Sequence, residues 1–207
     1  SGPSGTLTIK NMTSGIAITS ANNIDITGNV TASTEMHANN SITIEDNASL
    51  DITGPYGTLN GPATITNKGT IIIGSSVSPY IGGTIINEAG ASLEDYGVIS
   101  MSKALINNGD ATATLSYAGG QITNNGSMSL TVDGYLGGGV VNNGQMIIKG
   151  DSSDGAKTSV EQIYSQIDQT QISPNVSNSN TIAGFTDNST SDTTINDIVV
   201  NNGAGSI

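Results

Sequence analysis

One phrase occurs three times in this chain, and it constrains the fold more than any other feature. The three copies share the pattern Tyr-x-Gly-Gly-x-(Ile/Val)-x-Asn and begin at Tyr80, Tyr117 and Tyr135. Each copy runs on to a glycine, as Asn-Glu-Ala-Gly once and as Asn-Asn-Gly twice. A fixed order of aromatic, small and amide residues indicates one structural unit that is used repeatedly.

Asparagine recurs at a nearly constant interval through the middle of the chain. The interval is 20 residues three times and then becomes 17 and 18. The members of this set are Asn47, Asn67, Asn87, Asn107, Asn124 and Asn142. In a parallel β-helix each turn lies about 4.8 Å above the last, so like residues stack on like. The spacing therefore predicts a hydrogen-bonded asparagine ladder from the first member to the last.

Short runs of alternating apolar and polar residues precede the three phrases. The pairs Leu7/Ile9, Ile24/Ile26 and Ile42/Ile44 recur after 17 and 18 residues, with Gly or Asn between them. Alternation is typical of half-buried strands, and Gly and Asn favour turns. With one Phe and no Trp, the interior must be narrow and filled by Ile, Val, Leu and Ala. We therefore predict an all-β fold, a parallel β-helix or β-solenoid with turns of 17–20 residues.

The pattern changes after Gly150, so we predict a repeat domain over 1–150 and a polar C-terminal extension over 151–207. Within the extension, apolar residues at helical spacing follow a possible capping box, Thr158-Ser159-Val160-Glu161. This predicts a short amphipathic helix over about 159–169. Such a helix would cover the open end of the solenoid.

A partial copy of the repeated phrase lies near the C-terminus. Val199-Val200-Asn201-Asn202-Gly203 matches residues 140–144, and the segment 194–203 alternates like a strand. Either degenerate turns fill the gap, or this strand pairs elsewhere, for example with the edge of a neighbouring molecule. The residues predicted for such an assembly strand are Ile195, Ile198, Val199, Val200 and Asn201.

Charge and composition exclude several functions. The net charge is −12, arginine is absent, and the five lysines are scattered, whereas nucleic-acid binding needs clustered cations. Only one histidine is present, His37, and no pair of aspartates recurs at the turn interval, so we expect no catalytic residues, no metal site and no cofactor. No segment is apolar for long enough to predict a membrane-spanning helix.

The three repeated tyrosines are the best candidates for ligand binding. Tyr80, Tyr117 and Tyr135 would form an exposed aromatic row that stacks on sugar rings, or each would pack at a corner of the solenoid beside its Gly-Gly pair. Packing at the corner is the interpretation that we favour.

Two features are typical of a secreted protein. The N-terminal segment Ser1-Gly2-Pro3-Ser4-Gly5 suggests a processed end, so we expect a signal peptide to have been removed. Asn-x-Ser/Thr sequons, which are potential glycosylation sites, occur at Asn11, Asn29, Asn39, Asn47, Asn125, Asn175 and Asn188.

The Asn-Asn-Gly turns and the alternating strands over about residues 6–150 resemble the β-solenoid repeats of microbial cell-surface proteins, both adhesin-like proteins and sheath or fibre proteins. The resemblance concerns pattern and transfers no functional residue. It implies an extracellular structural protein whose copies assemble through strand edges into a fibre, tube or sheath. The alternative is a monomeric adhesin or carbohydrate-binding module.

Overall fold

The computed structural model describes residues 5–20, 22–54, 59–61, 63–75, 77–150, 159–160, 163–165 and 170–172. Across these residues the chain winds through about eight turns of a parallel β-solenoid. The fold class predicted from the spacing is therefore confirmed, with short strands and turns of about 18 residues.

The first four turns contribute three strands each. In chain order they are β1 (Thr6–Ile9), β2 (Met12–Ser14), β3 (Ile18–Ser20), β4 (Asn23–Ile26), β5 (Asn29–Ala32), β6 (Met36–Ala38), β7 (Ser41–Ile44), β8 (Ser49–Ile52), β9 (Leu59–Asn60), β10 (Thr64–Asn67), β11 (Thr70–Ile73) and β12 (Tyr80–Ile81).

Later turns merge some of these elements into longer strands. The remaining strands are β13 (Ile85–Asn87), β14 (Ser92–Asp95), β15 (Ile99–Met101), β16 (Leu105–Asn107), β17 (Asp110–Ala118), β18 (Ile122–Asn124), β19 (Ser127–Leu136), β20 (Val140–Asn142), β21 (Gln145–Gly150), β22 (Ser159–Val160), β23 (Ile163–Ser165) and β24 (Thr170–Ile172).

Two sheets enclose the interior. Sheet 1 has nine strands, one from each of the eight turns and then β23, in the order β1-β4-β7-β10-β13-β16-β18-β20-β23. Sheet 2 has fifteen strands and forms the rest of each turn. The pairings are parallel and in register, so that Ile24 lies beside Ile42 and Ile42 beside Ile65. Like residues therefore stack on like along the solenoid axis.

The interior is narrow and aliphatic. Alternate residues of each strand point inward, and those of sheet 1 include Ile24, Ile42, Ile65 and Ile85, all buried. The buried apolar residues of the described part are Ile, Leu, Val, Met and Ala, without an aromatic side chain. Branched aliphatic side chains suit such a column because they have few rotamers and nest on an identical neighbour.

The length of a turn depends on its corners. In the fourth turn, residues 74–79 separate β11 from β12, whereas β17 and β19 run continuously past that corner in the sixth and seventh turns. The step between stacked residues is consequently 20 from Ile65 to Ile85 but only 17 from Leu105 to Ile122. Corners of unequal length explain why the number of residues between equivalent positions is not constant along the sequence.

The predicted helix over 159–169 is wrong for the residues described there. Ser159–Val160 and Ile163–Ser165 are strands that pair in parallel with β19 and β20. Val160 aligns with Leu136, and Ile163 aligns with Val140. Their helix-like spacing is that of two short strands in neighbouring columns of the solenoid, with two residues between them in the sequence.

The solenoid continues past Gly150, where the sequence analysis placed the end of the repeat domain. β22, β23 and β24 extend it, with β24 paired to β21. The predicted terminal strand at 194–203, including Ile195, Ile198, Val199, Val200 and Asn201, lies outside the described residues.

Candidate functional site

Five of the six predicted asparagines form a continuous ladder inside the solenoid, which we call the inner ladder. In each pair, Nδ2 of one residue donates to Oδ1 of the next, at 2.7–2.8 Å. The members, all fully buried, are Asn67, Asn87, Asn107, Asn124 and Asn142. A side-chain amide both donates and accepts, so it can repeat this contact from turn to turn.

The first four amides of the ladder also hold the backbone of the next turn. Nδ2 of Asn87 donates to the carbonyl oxygen of Asp110 at 2.9 Å, and Nδ2 of Asn107 donates to that of Ser127 at 2.9 Å. The inner ladder thus joins the end of sheet 1 to the start of sheet 2. Its polar atoms are satisfied by the protein itself, which is what burial requires.

Asn47 does not belong to the ladder, which corrects the prediction. Asn67 aligns with Ile44 rather than with Asn47. Asn47 is instead exposed in a tight turn with a φ of 62°, a conformation that asparagine tolerates better than most residues. The sequence interval of 20 residues misled us because the true step between these turns is 23 residues.

A second amide column lies on the outside of the same corner, and the sequence analysis missed it. The outer column consists of Asn108, Asn125 and Asn143. Nδ2 of Asn125 donates to Oδ1 of Asn108 at 2.8 Å, and Nδ2 of Asn143 donates to Oδ1 of Asn125 at 2.7 Å. The signal was the doubled asparagine of the Asn-Asn-Gly turns: the first points inward and the second points outward.

The three candidate tyrosines occupy one exposed column of sheet 2, with a gap. Tyr80 aligns with Ser100, Ser100 with Tyr117, and Tyr117 with Tyr135. The rings of Tyr117 and Tyr135 stack with centroids 6.3 Å apart and planes at 28°. Ser100 separates Tyr80 from this pair, and the sequence analysis did not foresee that separation.

The Gly-Gly pair explains the tyrosine geometry. A Cβ at Gly137 would lie 2.7 Å from Cε1 of Tyr135, and one at Gly119 would lie 2.9 Å from the hydroxyl of Tyr117. The first glycine therefore makes room for the ring. A Cβ at the second glycine, Gly120 or Gly138, would overlap the backbone of the preceding turn. Tyr117 and Tyr135 thus pack beside their Gly-Gly pairs while 45% and 38% of their surface stays exposed.

The first turn presents an open edge. Within the described residues, β1, β2 and β3 each pair with one strand only, in the second turn. Leu7 and Ile16 are 40% and 77% exposed there. An edge of this kind offers unpaired backbone groups and apolar side chains to another strand.

Asp95 is a buried carboxyl group next to β17, the first strand of sheet 2 that runs straight past the corner. Asp95 is only 3% exposed, and its carboxylate accepts hydrogen bonds from Gly97 N at 2.8 Å and Thr114 N at 2.7 Å. Burial raises the pKa of Asp95 above its ordinary value, although the two N–H donors oppose that shift. Through these two hydrogen bonds Asp95 links the last bent corner of sheet 2, at Gly97, to Thr114 in β17.

Two other kinds of feature are missing from the part of the chain that the structure describes. Among the described residues, no three His, Cys, Asp or Glu side chains cluster as a metal site would require. No helix of the described residues is long and apolar enough to cross a membrane. His37 lies on the surface, where Nε2 contacts Oδ1 of Asn39 at 3.1 Å.

The class of protein that the geometry defines is a parallel β-solenoid stabilised by an internal asparagine ladder. Comparisons with protein-family models, with curated proteins and with solved structures each returned no match.

Proposed function

We propose that the chain is a non-catalytic structural protein of the cell surface or envelope, and that its copies associate through strand edges. The observation that carries this proposal is the first turn, whose three strands pair on one side only within the described residues and whose Leu7 and Ile16 are exposed. A strand added to such an edge gains backbone hydrogen bonds as well as apolar contacts. The association would extend the solenoid into a fibre, tube or sheath.

The direction of the backbone groups identifies a residue for testing. In β10, Thr64 N donates to Asn40 O of the preceding turn, whereas Ile65 N donates to Thr84 O of the following turn. Outward-facing residues thus direct N–H groups toward the N-terminal side. Thr8 is outward-facing in β1, so its N–H points to the open edge.

Replacing Thr8 by proline removes this donor and leaves the pairing of β1 with β4 intact. We expect the wild type to form assemblies by light scattering and negative-stain imaging, and Thr8→Pro to remain monomeric. Thr8→Val, which keeps the N–H, is the matched control and should assemble. Wild-type protein that stays monomeric at high concentration, or Thr8→Pro protein that assembles normally, would contradict the proposal.

The proposed partner strand is the segment 194–203, because it carries the Val-Val-Asn-Asn-Gly phrase of the repeat. A chain that ends at residue 193 should therefore be monomeric as well. If it assembles like the full chain, another segment must occupy the edge.

A second candidate function is carbohydrate binding by a monomeric adhesin, favoured by the stacked and exposed rings of Tyr117 and Tyr135. Aromatic faces of this kind suit the apolar faces of sugar rings. Changing Tyr80, Tyr117 and Tyr135 together to serine should abolish binding on a glycan array without lowering the melting temperature. Tyr96→Ser, which removes an exposed tyrosine outside the column, is the control. Unfolding of the triple variant would instead assign the tyrosines to the structure alone.

A further inference from the structure

Every residue of the outer column precedes a glycine, in the pairs Asn108-Gly109, Asn125-Gly126 and Asn143-Gly144. Asparagine is a thermolabile residue, and a following glycine leaves its side chain unshielded. In deamidation the deprotonated glycine N attacks Cγ of the asparagine and forms a C–N bond. Nδ2 leaves as ammonia, and water then opens the succinimide to aspartate or isoaspartate. The reaction needs water but no oxidant or reductant.

The attacking nitrogen is held in two of the three pairs. Gly126 N donates to Asn107 O at 3.2 Å, and Gly144 N donates to Oδ1 of Asn142 in the inner ladder at 3.2 Å. A hydrogen-bonded N–H must break that bond before it can lose its proton and turn toward the side chain. The inner ladder and its backbone therefore restrain the nucleophile.

The attacked carboxamides are held as well. Nδ2 of Asn125 is bound to Asn108, and Nδ2 of Asn143 is bound to Asn125. Rotation of either side chain toward its own glycine breaks an amide–amide hydrogen bond. Because the contacts are stacked, the restraint on one turn depends on the neighbouring turn.

Asn108 is held by Asn125, whose Nδ2 donates to Oδ1 of Asn108 at 2.8 Å, but the Nδ2 atom of Asn108 and the nitrogen of its glycine are held less than those of the other two pairs. Nδ2 of Asn108 contacts Oε2 of Glu88 at 3.5 Å, the outer limit for a hydrogen bond. Gly109 N donates no hydrogen bond within the described part of the chain. Conversion to aspartate would also place a second carboxylate beside Glu88.

We propose that the two asparagine columns protect Asn125 and Asn143 from deamidation, and that Asn108 is the first of the three to deamidate. The inner ladder holds the glycine nitrogens, and the outer column holds the carboxamides. This chemistry requires neither self-association nor glycan binding.

Peptide mapping by mass spectrometry tests the proposal on the full chain during incubation at mildly alkaline pH. In the folded protein Asn108 should deamidate roughly five to ten times faster than Asn125 and Asn143, a factor that corresponds to about one net hydrogen bond. In urea the three rates should converge, because the protein contacts are lost. Equal rates in the folded protein, or rates at Asn125 and Asn143 unchanged by unfolding, would overturn the proposal.

Two variants separate the two restraints. Asn142→Ser removes the acceptor of Gly144 N and should accelerate deamidation at Asn143 but not at Asn125. Asn125→Ser removes the partner of both outer neighbours and should accelerate Asn143 and Asn108. Thr123→Ser, on the outward face of β18, is the matched control. Asn142 is buried, so if its variant unfolds, the exposed Asn125→Ser decides: an unchanged rate at Asn143 contradicts the proposal.

Discussion

The first three turns and the next five solve the same packing problem with different chemistry. At the last inward position of sheet 1, the first three turns carry Ile9, Ile26 and Ile44, whereas the later turns carry the inner ladder. The change occurs where Asn67 stacks on Ile44. Both solutions keep one residue type per column, because a solenoid interior accepts any side chain that packs or bonds with its own copy.

An unsuitable side chain in the column destabilises the two regions by different amounts. An aliphatic column tolerates a lost contact as a small cavity, whereas an interrupted amide column leaves a donor on one side and an acceptor on the other without partners. Glycines that abut the backbone of the preceding turn occur in both regions, as at Gly54 and Gly83, whereas Gly15 in the first turn has open space around it. Four substitutions test this contrast.

The largest effect is expected at a glycine in the later region. A Cβ at Gly83 would overlap the carbonyl oxygen of Ala63, so Gly83→Ala must separate two turns. We expect a loss of about 4 kcal/mol or more in the free energy of unfolding, measured by urea denaturation. Gly15→Ala, in the first turn, meets only Oγ of Ser33 at 3.9 Å and should be nearly neutral. Similar losses for both would show that close approach of the preceding turn is not what makes Gly83 sensitive.

Moving an amide into the aliphatic region should be nearly as harmful. Ile26→Asn places one side-chain amide between Ile9 and Ile44, where no other amide is available. The expected loss is about 3–4 kcal/mol, from lost apolar burial and unpaired polar atoms. Ile26→Val, which keeps the column aliphatic, should cost about 1 kcal/mol. A loss for Ile26→Asn no greater than that for Ile26→Val would show that the column accepts polar groups.

The position of an asparagine within the inner ladder should also determine how much stability is lost when it is replaced. Asn107→Ala leaves one N–H of the Asn87 amide without its acceptor and Oδ1 of Asn124 without a donor, so we expect about 2–4 kcal/mol. Asn67→Ala, at the end of the ladder, breaks one amide–amide bond and should cost about half as much. Thermal and urea denaturation of the two variants provide the comparison. Equal losses would mean that the cost does not depend on the number of amide–amide bonds broken.

The smallest effect concerns pH at the junction marked by Asp95. Since burial raises its pKa in the folded state, folding favours the neutral acid. Its contribution to stability is therefore fully present below the ordinary aspartate pKa and is lost as pH rises through the raised value. Relative to Asp95→Asn, the wild type should lose stability across that interval, measured by urea midpoints at several pH values. Parallel profiles for the two proteins would show that Asp95 titrates normally.

Local signals in the sequence predicted the strands and the coil, but not the alignment of turns. Alternation located β4 and β7, and the repeated phrase located β18 and β20, because side-chain period and turn chemistry are local properties. The alignment of one turn with the next depends on how many residues each corner contains. The sequence has no local signal that distinguishes a short corner from a long one. Asn47 was assigned to the ladder, and Val160 and Ile163 to a helix, for that reason.

What the sequence determines by itself is the class of structure: alternating aliphatic residues, asparagine at turn intervals and few aromatic side chains permit a narrow parallel coil. Only the tertiary structure decides which copies touch. It excludes Asn47 from the inner ladder, reveals the outer column, inserts Ser100 between Tyr80 and Tyr117, and buries Asp95. The physical reason is that contacts between turns join residues about 20 positions apart, so an added residue in any corner changes every later pairing.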